Sequence, residues 1–159
     1  MADPILDTKK ILVVDDEPDV LAIVEEEIKN ACQNVMVEKE TTYEGAEKLL
    51  TSHSYDIVIL DIMGVRGFEL LEIAVKRGFN VAMLTAQALS PEALKKSHDL
   101  GARAYLPKEE LGRLVPFLED ILKYNYKTGW KRLFDKLENF FDEQFKGDWK
   151  DDLGIRLWF

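Results

Sequence analysis

The chain has 159 residues, 47% hydrophobic and 32% charged, which fits one globular domain and a short appendage. No apolar run approaches the roughly 20 residues that cross a bilayer, so we expect no membrane span. The net charge of −9 lacks the basic excess that binds a phosphate backbone, so we expect no nucleic-acid partner. The N-terminal segment has no signal-peptide pattern and the single Cys32 cannot form an internal disulfide, so a cytoplasmic location is expected.

Apolar runs of strand length alternate with helix-period segments through the first three quarters of the chain. The pattern predicts strands at 10–15, 35–38, 56–61, 81–85 and 102–106. It predicts helices at 18–28, 43–51, 68–76, 91–100 and 109–123. Five βα units with nearly continuous apolar strands indicate a parallel sheet covered by helices on both faces.

Polar side chains follow the predicted strands at the edge where such sheets bind ligands. The residues are Asp15 and Asp16 after the first strand, Asp61 after the third, Thr85 after the fourth and Lys108 after the fifth. Taken singly, each is more often a helix cap, a loop residue or a solvated lysine. Taken together, they place three carboxylates, an ammonium group and a hydroxyl at one edge.

Three converging carboxylates repel one another unless a cation lies among them, and oxygen ligands of this kind suit Mg²⁺. Lysine and threonine can hold the equatorial oxygens of a phosphoryl group in transfer. Asp61 stands alone at the end of the central strand and is placed to act as the nucleophile, because aspartate carboxylates form acyl phosphates.

From about residue 9 to residue 123 the chain resembles the receiver domain of two-component response regulators. The resemblance rests on ILVVDDEPDV at 11–20, DIVILDIM at 56–63, VAMLTA at 81–86 and GARAYLPK at 101–108. It implies an α/β fold with a five-stranded parallel sheet, doubly wound in the flavodoxin-like order 2-1-3-4-5. It also implies that a sensor histidine kinase or a phosphotransfer protein supplies a phosphoryl group.

The resemblance implies a metal site and an acceptor. Asp61 would be the phospho-acceptor. Asp15 and Asp16 would hold Mg²⁺ directly or through water, and the Asp61 carboxylate and the Met63 carbonyl would complete the protein ligands.

The resemblance also implies a switch around the phosphoryl group. Lys108 would pair with the group and Thr85 would donate its hydroxyl to it. Tyr105 would be the aromatic residue that turns inward in response, and Ala86 would be the small residue that leaves the group room.

The chain departs from the family pattern in two loops. The loop at 62–66 has no proline, and Gly67 follows Asp61 by six residues where the family usually has a glycine about eight residues on. Glu109 follows Lys108 where the family usually has proline, so a trans peptide bond is expected there.

Residues 126–159 lie beyond the resemblance, so we divide the chain into a receiver domain at 1–125 and a C-terminal helical extension at 126–159. The extension has seven acidic and seven basic residues, and Gly147 is predicted to end its amphipathic helix. Its apolar stripe consists of Trp130, Leu133, Phe134, Leu137, Phe140, Phe141 and Phe145, and a tail rich in large apolar residues follows. The stripe either packs on the receiver, pairs with a second copy as a homodimer or docks on a partner; a membrane surface is a weaker alternative. The lone histidines, His53 and His98, are predicted at the surface.

These features favour a response regulator that signals through contacts with an unknown downstream protein and has only limited self-phosphorylation and self-dephosphorylation chemistry. A phosphorelay shuttle and a phosphorylation-independent pseudo-receiver scaffold are the alternatives. A phosphatase of the haloacid-dehalogenase type needs a second aspartate two residues after the nucleophile, where this chain has Met63. We therefore expect a signalling phospho-acceptor and not an enzyme with a separate substrate.

Overall fold

A computed structural model describes residues 4–86 and 89–158, apart from the side chains of residues 156 and 157. Five parallel strands form one sheet in the order β2-β1-β3-β4-β5, which confirms the predicted fold. The strands are β1 (Lys10–Val14), β2 (Met36–Glu40), β3 (Ile57–Asp61), β4 (Asn80–Thr85) and β5 (Ala104–Pro107). The helices are α1 (Pro18–Ala31), α2 (Tyr43–Ser52), α3 (Gly67–Lys76), α4 (Pro91–Asp99), α5 (Leu114–Lys123), α6 (Tyr126–Gln144) and α7 (Trp149–Leu153), with 3₁₀ helices at Lys108–Arg113 and Ile155–Trp158.

The central strands form the core because both of their faces are covered by helices. All five residues of β3 are buried, as are the last four of β1 and the last five of β4. This burial explains their continuous apolar runs. None of the helices in the described ranges is long and apolar enough to span a membrane.

Most elements begin or end a few residues away from the sequence predictions, and three of these differences have a clear physical cause. β5 begins at Ala104 and not at residue 102, because the Ala102 N–H bonds back to the Ser97 carbonyl at the end of α4. The predicted helix at 109–123 is a 3₁₀ helix followed by α5, which begins at Leu114, so that Pro116 lies in the first turn, where a missing N–H is tolerated. β2 extends to Glu40, because its pairing with β1 continues through polar residues.

The extension packs on the receiver of its own chain, the first of the alternatives that the sequence left open. α6 lies against α5 and β5, and α7 lies against α4. Most of the predicted stripe is buried there, with Phe140 half-buried. The helix ends at Gln144 and not at Gly147, because Phe145 has an extended backbone. Phe159, at the end of the predicted tail, lies outside the described residues.

The extension also covers His98, so the prediction of a surface position for this residue is wrong. Its side chain is 17% exposed, and its ring stacks on Trp158 with the centroids 3.6 Å apart. Burial lowers the pKa of His98, although the neighbouring Asp99 carboxylate opposes the shift. His53 is exposed, as predicted.

Candidate functional site

The carboxyl ends of the strands enclose a cavity of about 230 Å³ at one edge of the sheet. Parallel strands bring these ends together, so side chains that are distant in sequence meet there. The cavity is lined by Asp16, Glu17, Asp61, Met63, Gly64, Thr85, Ala86 and Lys108. Of the residues predicted for the site, Asp15 lies beneath this cavity within reach of Lys108, whereas Tyr105 lies on β5 outside the lining.

Three carboxylates form the acidic part of the site. One oxygen from each of Asp15, Asp16 and Asp61 lies within 4.8 Å of the others. Asp15 is fully buried, Asp61 is nearly so, and Asp16 is exposed. Burial, reinforced by the Asp61 charge, raises the pKa of Asp15 even though Lys108 and the Glu17 N–H oppose the shift.

These carboxylates suit a hard divalent cation. Oxygen ligands at the mouth of a polar cavity are the donors that Mg²⁺ takes in proteins, and the ion would relieve the repulsion among the three acids. Asp15 Oδ2 is buried, and the group that faces it is the ammonium of Lys108, whose Nζ forms an ion pair with it at 2.8 Å. The donor set therefore fits the predicted magnesium site.

Lys108 is the cation of the site. Its Nζ lies 2.8 Å from Asp15 Oδ2, 3.2 Å from Asp61 Oδ1 and 3.3 Å from Glu17 Oε1. Burial disfavours its charged form, but Asp15 and Asp61 outweigh that effect and raise the pKa of Lys108 above its ordinary value. Lys108 therefore remains protonated throughout the physiological range.

Glu17 is a member of the site that the sequence analysis missed. It is exposed, and its backbone N–H donates to Asp15 Oδ1 at 2.9 Å while its carboxylate reaches Lys108. Its position directly after two aspartates in the first βα loop is the signal that could have identified it.

The loop after β3 is tight and fits closely around the acceptor. The Gly64 N–H donates to Asp61 Oδ2 at 3.0 Å. A Cβ at Gly64 would lie 2.2 Å from Asp16 Oδ1, and a Cβ at Gly67 would lie 2.2 Å from the Asp61 carbonyl oxygen. The short loop therefore depends on glycine at position 67, where a Cβ would meet the backbone, whereas a Cβ at position 64 would displace the exposed Asp16 carboxylate. Met63 lies in the same loop with its side chain 60% exposed at the rim of the cavity.

Thr85 places a hydroxyl beside the acceptor. Its Oγ1 is buried and has no hydrogen-bond partner within the described residues. It lines the same cavity as Asp61, and Ala86 follows it at the wall with only a methyl group. A buried, unpaired hydroxyl costs about 1–3 kcal/mol, and an anion bound in the cavity would supply its partner.

Tyr105 is fully buried beneath the extension. Its hydroxyl accepts a hydrogen bond from the Ser90 N–H at 3.1 Å, and Ser90 lies between Thr85 and α4. Burial raises the pKa of Tyr105 to about 12, while the Ser90 hydrogen bond and the neighbouring Thr85 side chain oppose the shift. The Tyr105 ring is thus buried in this structure, and its role as the switch residue stays a prediction.

The fold and the acidic edge define a class of protein. Residues 11–118 match the family model of the response regulator receiver domain, and the chain belongs to that family. Receiver domains accept phosphoryl groups, typically bind Mg²⁺ at an acidic pocket and interact with histidine kinases or phosphotransfer proteins.

The chain is similar to several known proteins. It is 32% identical over 161 residues to the uncharacterized transcriptional regulatory protein YrkP of Bacillus subtilis, covering 93% of this chain and 66% of YrkP. A response regulator from Thermotoga maritima superposes with a TM-score of 0.65 at 21% identity, covering 74% of this chain and 99% of that one. The BeF3-activated DrrB receiver domain gives 0.60 at 24% identity, covering 74% and 99%.

Proposed function

We propose that Asp61 accepts a phosphoryl group from the phosphohistidine of a sensor histidine kinase or a phosphotransfer protein, in a reaction that requires Mg²⁺. The observation that carries the proposal is the grouping, at one cavity, of Asp61 with two further aspartates, the ammonium group of Lys108 and the Thr85 hydroxyl, which has no hydrogen-bond partner within the described residues. Each group matches one requirement of phosphoryl transfer: a nucleophile, a cation site and donors for the equatorial oxygens.

In the proposed transfer, a carboxylate oxygen of Asp61 attacks the phosphorus atom. The oxygen–phosphorus bond forms as the phosphorus–nitrogen bond breaks, and the electron pair of that bond returns to the imidazole. Asp15, Asp16, Asp61 and the Met63 carbonyl would hold Mg²⁺, which when bound supplies positive charge to the phosphoryl oxygens.

Lys108 and Thr85 then hold the transferred group. Lys108 already contacts Asp61, so a small movement of its ammonium group brings it from the carboxylates to a phosphoryl oxygen. The Thr85 hydroxyl, which has no hydrogen-bond partner among the residues that the structure describes, donates a hydrogen bond to another phosphoryl oxygen.

The proposed output is a protein contact and not a catalysed reaction on a separate substrate. The name of YrkP includes transcriptional regulation, but the net charge of −9 and the balanced charge of the extension favour a protein partner over direct contact with DNA. We propose self-phosphorylation and self-dephosphorylation as the only chemistry of the chain itself. The homodimer stays a prediction, and the stripe that suggested it packs on the receiver.

The test is calorimetric titration of the full chain with beryllofluoride, a phosphoryl mimic, in the presence of Mg²⁺. We expect Mg²⁺-dependent binding that Asp61→Asn abolishes. Asp56→Asn is the matched control, because Asp56 precedes the same strand and accepts a hydrogen bond from the Lys10 N–H away from the cavity. Failure of the wild-type chain to bind the mimic would favour the pseudo-receiver scaffold.

A further inference from the structure

The extension is attached to the receiver by specific polar contacts as well as by apolar packing. The Trp130 indole N–H donates to the Ala102 carbonyl at 3.0 Å, just before β5. Asp120 on α5 forms ion pairs with Lys136 at 2.7 Å and Arg132 at 3.2 Å, both on α6. These contacts place α6 in one orientation on the receiver.

That orientation places Phe141 over Tyr105. The two rings have centroids 6.1 Å apart, and both side chains are fully buried. Phe141 is therefore part of the packing that keeps the Tyr105 ring inside. The contact joins the extension to a residue of the receiver whose hydroxyl points toward the loop after β4.

Tyr105 in turn holds the far end of that loop. Its hydroxyl accepts the Ser90 N–H, and the Ser90 side chain accepts the Ala93 N–H at 3.1 Å and so begins α4. Thr85 lies at the end of β4, beside Tyr105 on the paired strand β5, and its side chain interacts with the Tyr105 hydroxyl. Tyr105 thus connects Phe141 both to Ser90 and to Thr85, whose side chain lines the cavity with Asp61.

Thr85 occupies a position that becomes more favourable when an anion binds in the cavity. The Thr85 hydroxyl is buried beside Asp61 and has no hydrogen-bond partner within the described ranges. Such a position persists only when the surrounding structure imposes it. The neighbouring Tyr105 side chain is one such constraint on Thr85, and the packing of Phe141 keeps that side chain in place.

We propose that Phe141 of the extension is a positioning residue for the phosphoryl group on Asp61, acting through Tyr105, Ser90 and Thr85. The docked extension thus strengthens phosphoryl binding. Because such coupling is reciprocal, the phosphoryl group strengthens docking of the extension and does not release it. This inference rests on the proposed function, since it concerns the same site.

The test measures the affinity of the full chain for beryllofluoride in Mg²⁺ and compares Phe141→Ala with Phe145→Ala. Phe145 is a matched control because it is a buried aromatic of the same extension whose ring contacts Phe141 and Trp149. We expect Phe141→Ala to weaken binding about fivefold or more, the lower range of coupling between linked sites. We expect Phe145→Ala to have a smaller effect and Phe141→Leu to restore most of the affinity.

A second variant separates positioning from general loosening of the fold. Tyr105→Phe removes the hydroxyl that bonds Ser90 and keeps the ring that Phe141 contacts. If Phe141 acts through that bond, Phe141→Ala weakens binding much less in the Tyr105→Phe background than in the wild type. Circular dichroism confirms that each variant is folded, and if Phe141→Ala is not, Phe141→Met and Phe145→Met replace the alanine pair.

The outcomes separate this inference from the proposed function. A wild-type chain that does not bind the mimic contradicts the proposed function. A wild-type chain that binds it, with the affinity of Phe141→Ala unchanged or increased, overturns the positioning role alone. Equal losses from Phe141→Ala and Phe145→Ala, additive with Tyr105→Phe, would also overturn it.

Discussion

The buried charge of Asp15 is the main electrostatic cost of the site to the stability of the fold. Its carboxylate is fully buried, with Lys108 in contact with both it and Asp61, and its pKa is raised by burial. A carboxyl group with a raised pKa in the folded state stabilises the fold at pH values below its unfolded pKa. That stability is lost as the pH rises through the folded pKa. At neutral pH the ionised Asp15 therefore lowers the stability of the protein.

We predict that Asp15→Asn raises the free energy of unfolding at pH 7 by about 0.5–2 kcal/mol, because it removes a buried charge that serves the site. The gain should shrink as the pH falls toward the pKa of Asp15 in the wild type, where that carboxyl becomes neutral. Denaturant unfolding in a chelating buffer at several pH values measures both effects.

Asp16→Asn is the control for that prediction, because Asp16 belongs to the same cluster but is exposed. Its change should stay within about 0.5 kcal/mol. A loss of stability in Asp15→Asn at pH 7 would mean that the ion pair with Lys108 outweighs the burial of Asp15.

Gly64 provides a test of the metal site that changes the identity of none of the predicted ligands. A Cβ there would lie 2.2 Å from Asp16 Oδ1, so we predict that Gly64→Ala displaces Asp16 and weakens Mg²⁺ binding about tenfold. Gly129→Ala is the control, since a Cβ at Gly129 meets nothing within 4 Å. Calorimetric titration with Mg²⁺ measures the affinity, and equal affinities in the two variants would argue against a role for Asp16.

At the scale of elements, the central strands were predictable because each is a continuous apolar run that ends in a polar residue. The ends of β5 and α5 were not, because they depend on hydrogen bonding that periodicity does not encode. Ala102 is apolar enough to extend β5, yet its N–H is used at the end of α4. Pro116 fixes the first turn of α5, a constraint that the apolar pattern of 109–123 conceals.

The attachment of α6 gives a prediction about one hydrogen bond. Trp130→Phe keeps an aromatic ring but leaves the Ala102 carbonyl without its donor, so we predict a loss of about 1–3 kcal/mol in the free energy of unfolding. Trp149→Phe is the control, because its indole N–H donates to the half-exposed Asp142 within the extension. Thermal or denaturant unfolding compares the two, and a loss no larger for Trp130 than for Trp149 would contradict the prediction.

At the scale of the whole molecule, the sequence identified the residues of the site but not the connections among them. Asp15, Asp16, Asp61, Thr85 and Lys108 were found because parallel strands end at one edge. In the sequence, Glu17 looks like an ordinary solvated acidic residue of a loop, because its contact with Lys108 exists only in the folded chain. The position of the extension could not be predicted for the same reason. An amphipathic stripe indicates that the apolar face of the helix is covered, but it does not indicate which surface covers it.

The structure resolves that question by placing the extension on the face formed by α4, β5 and α5. On this face Phe141 of the extension contacts Tyr105 of β5, and the neighbouring Thr85, at the end of β4, lines the cavity. The receiver and the extension pack together as one body in this chain. The proposed coupling, in which docking of the extension strengthens phosphoryl binding, follows from that shared packing.

The central claim is that Asp61 accepts a phosphoryl group, and peptide mapping by mass spectrometry tests it most directly. The full chain is incubated with phosphoramidate, a small phosphoryl donor, with and without Mg²⁺. We predict one phosphoryl group per chain, formed with Mg²⁺, located on the peptide that contains Asp61 and absent from Asp61→Asn. A phosphoryl group on another residue, or none in the folded chain with Mg²⁺, would contradict the account.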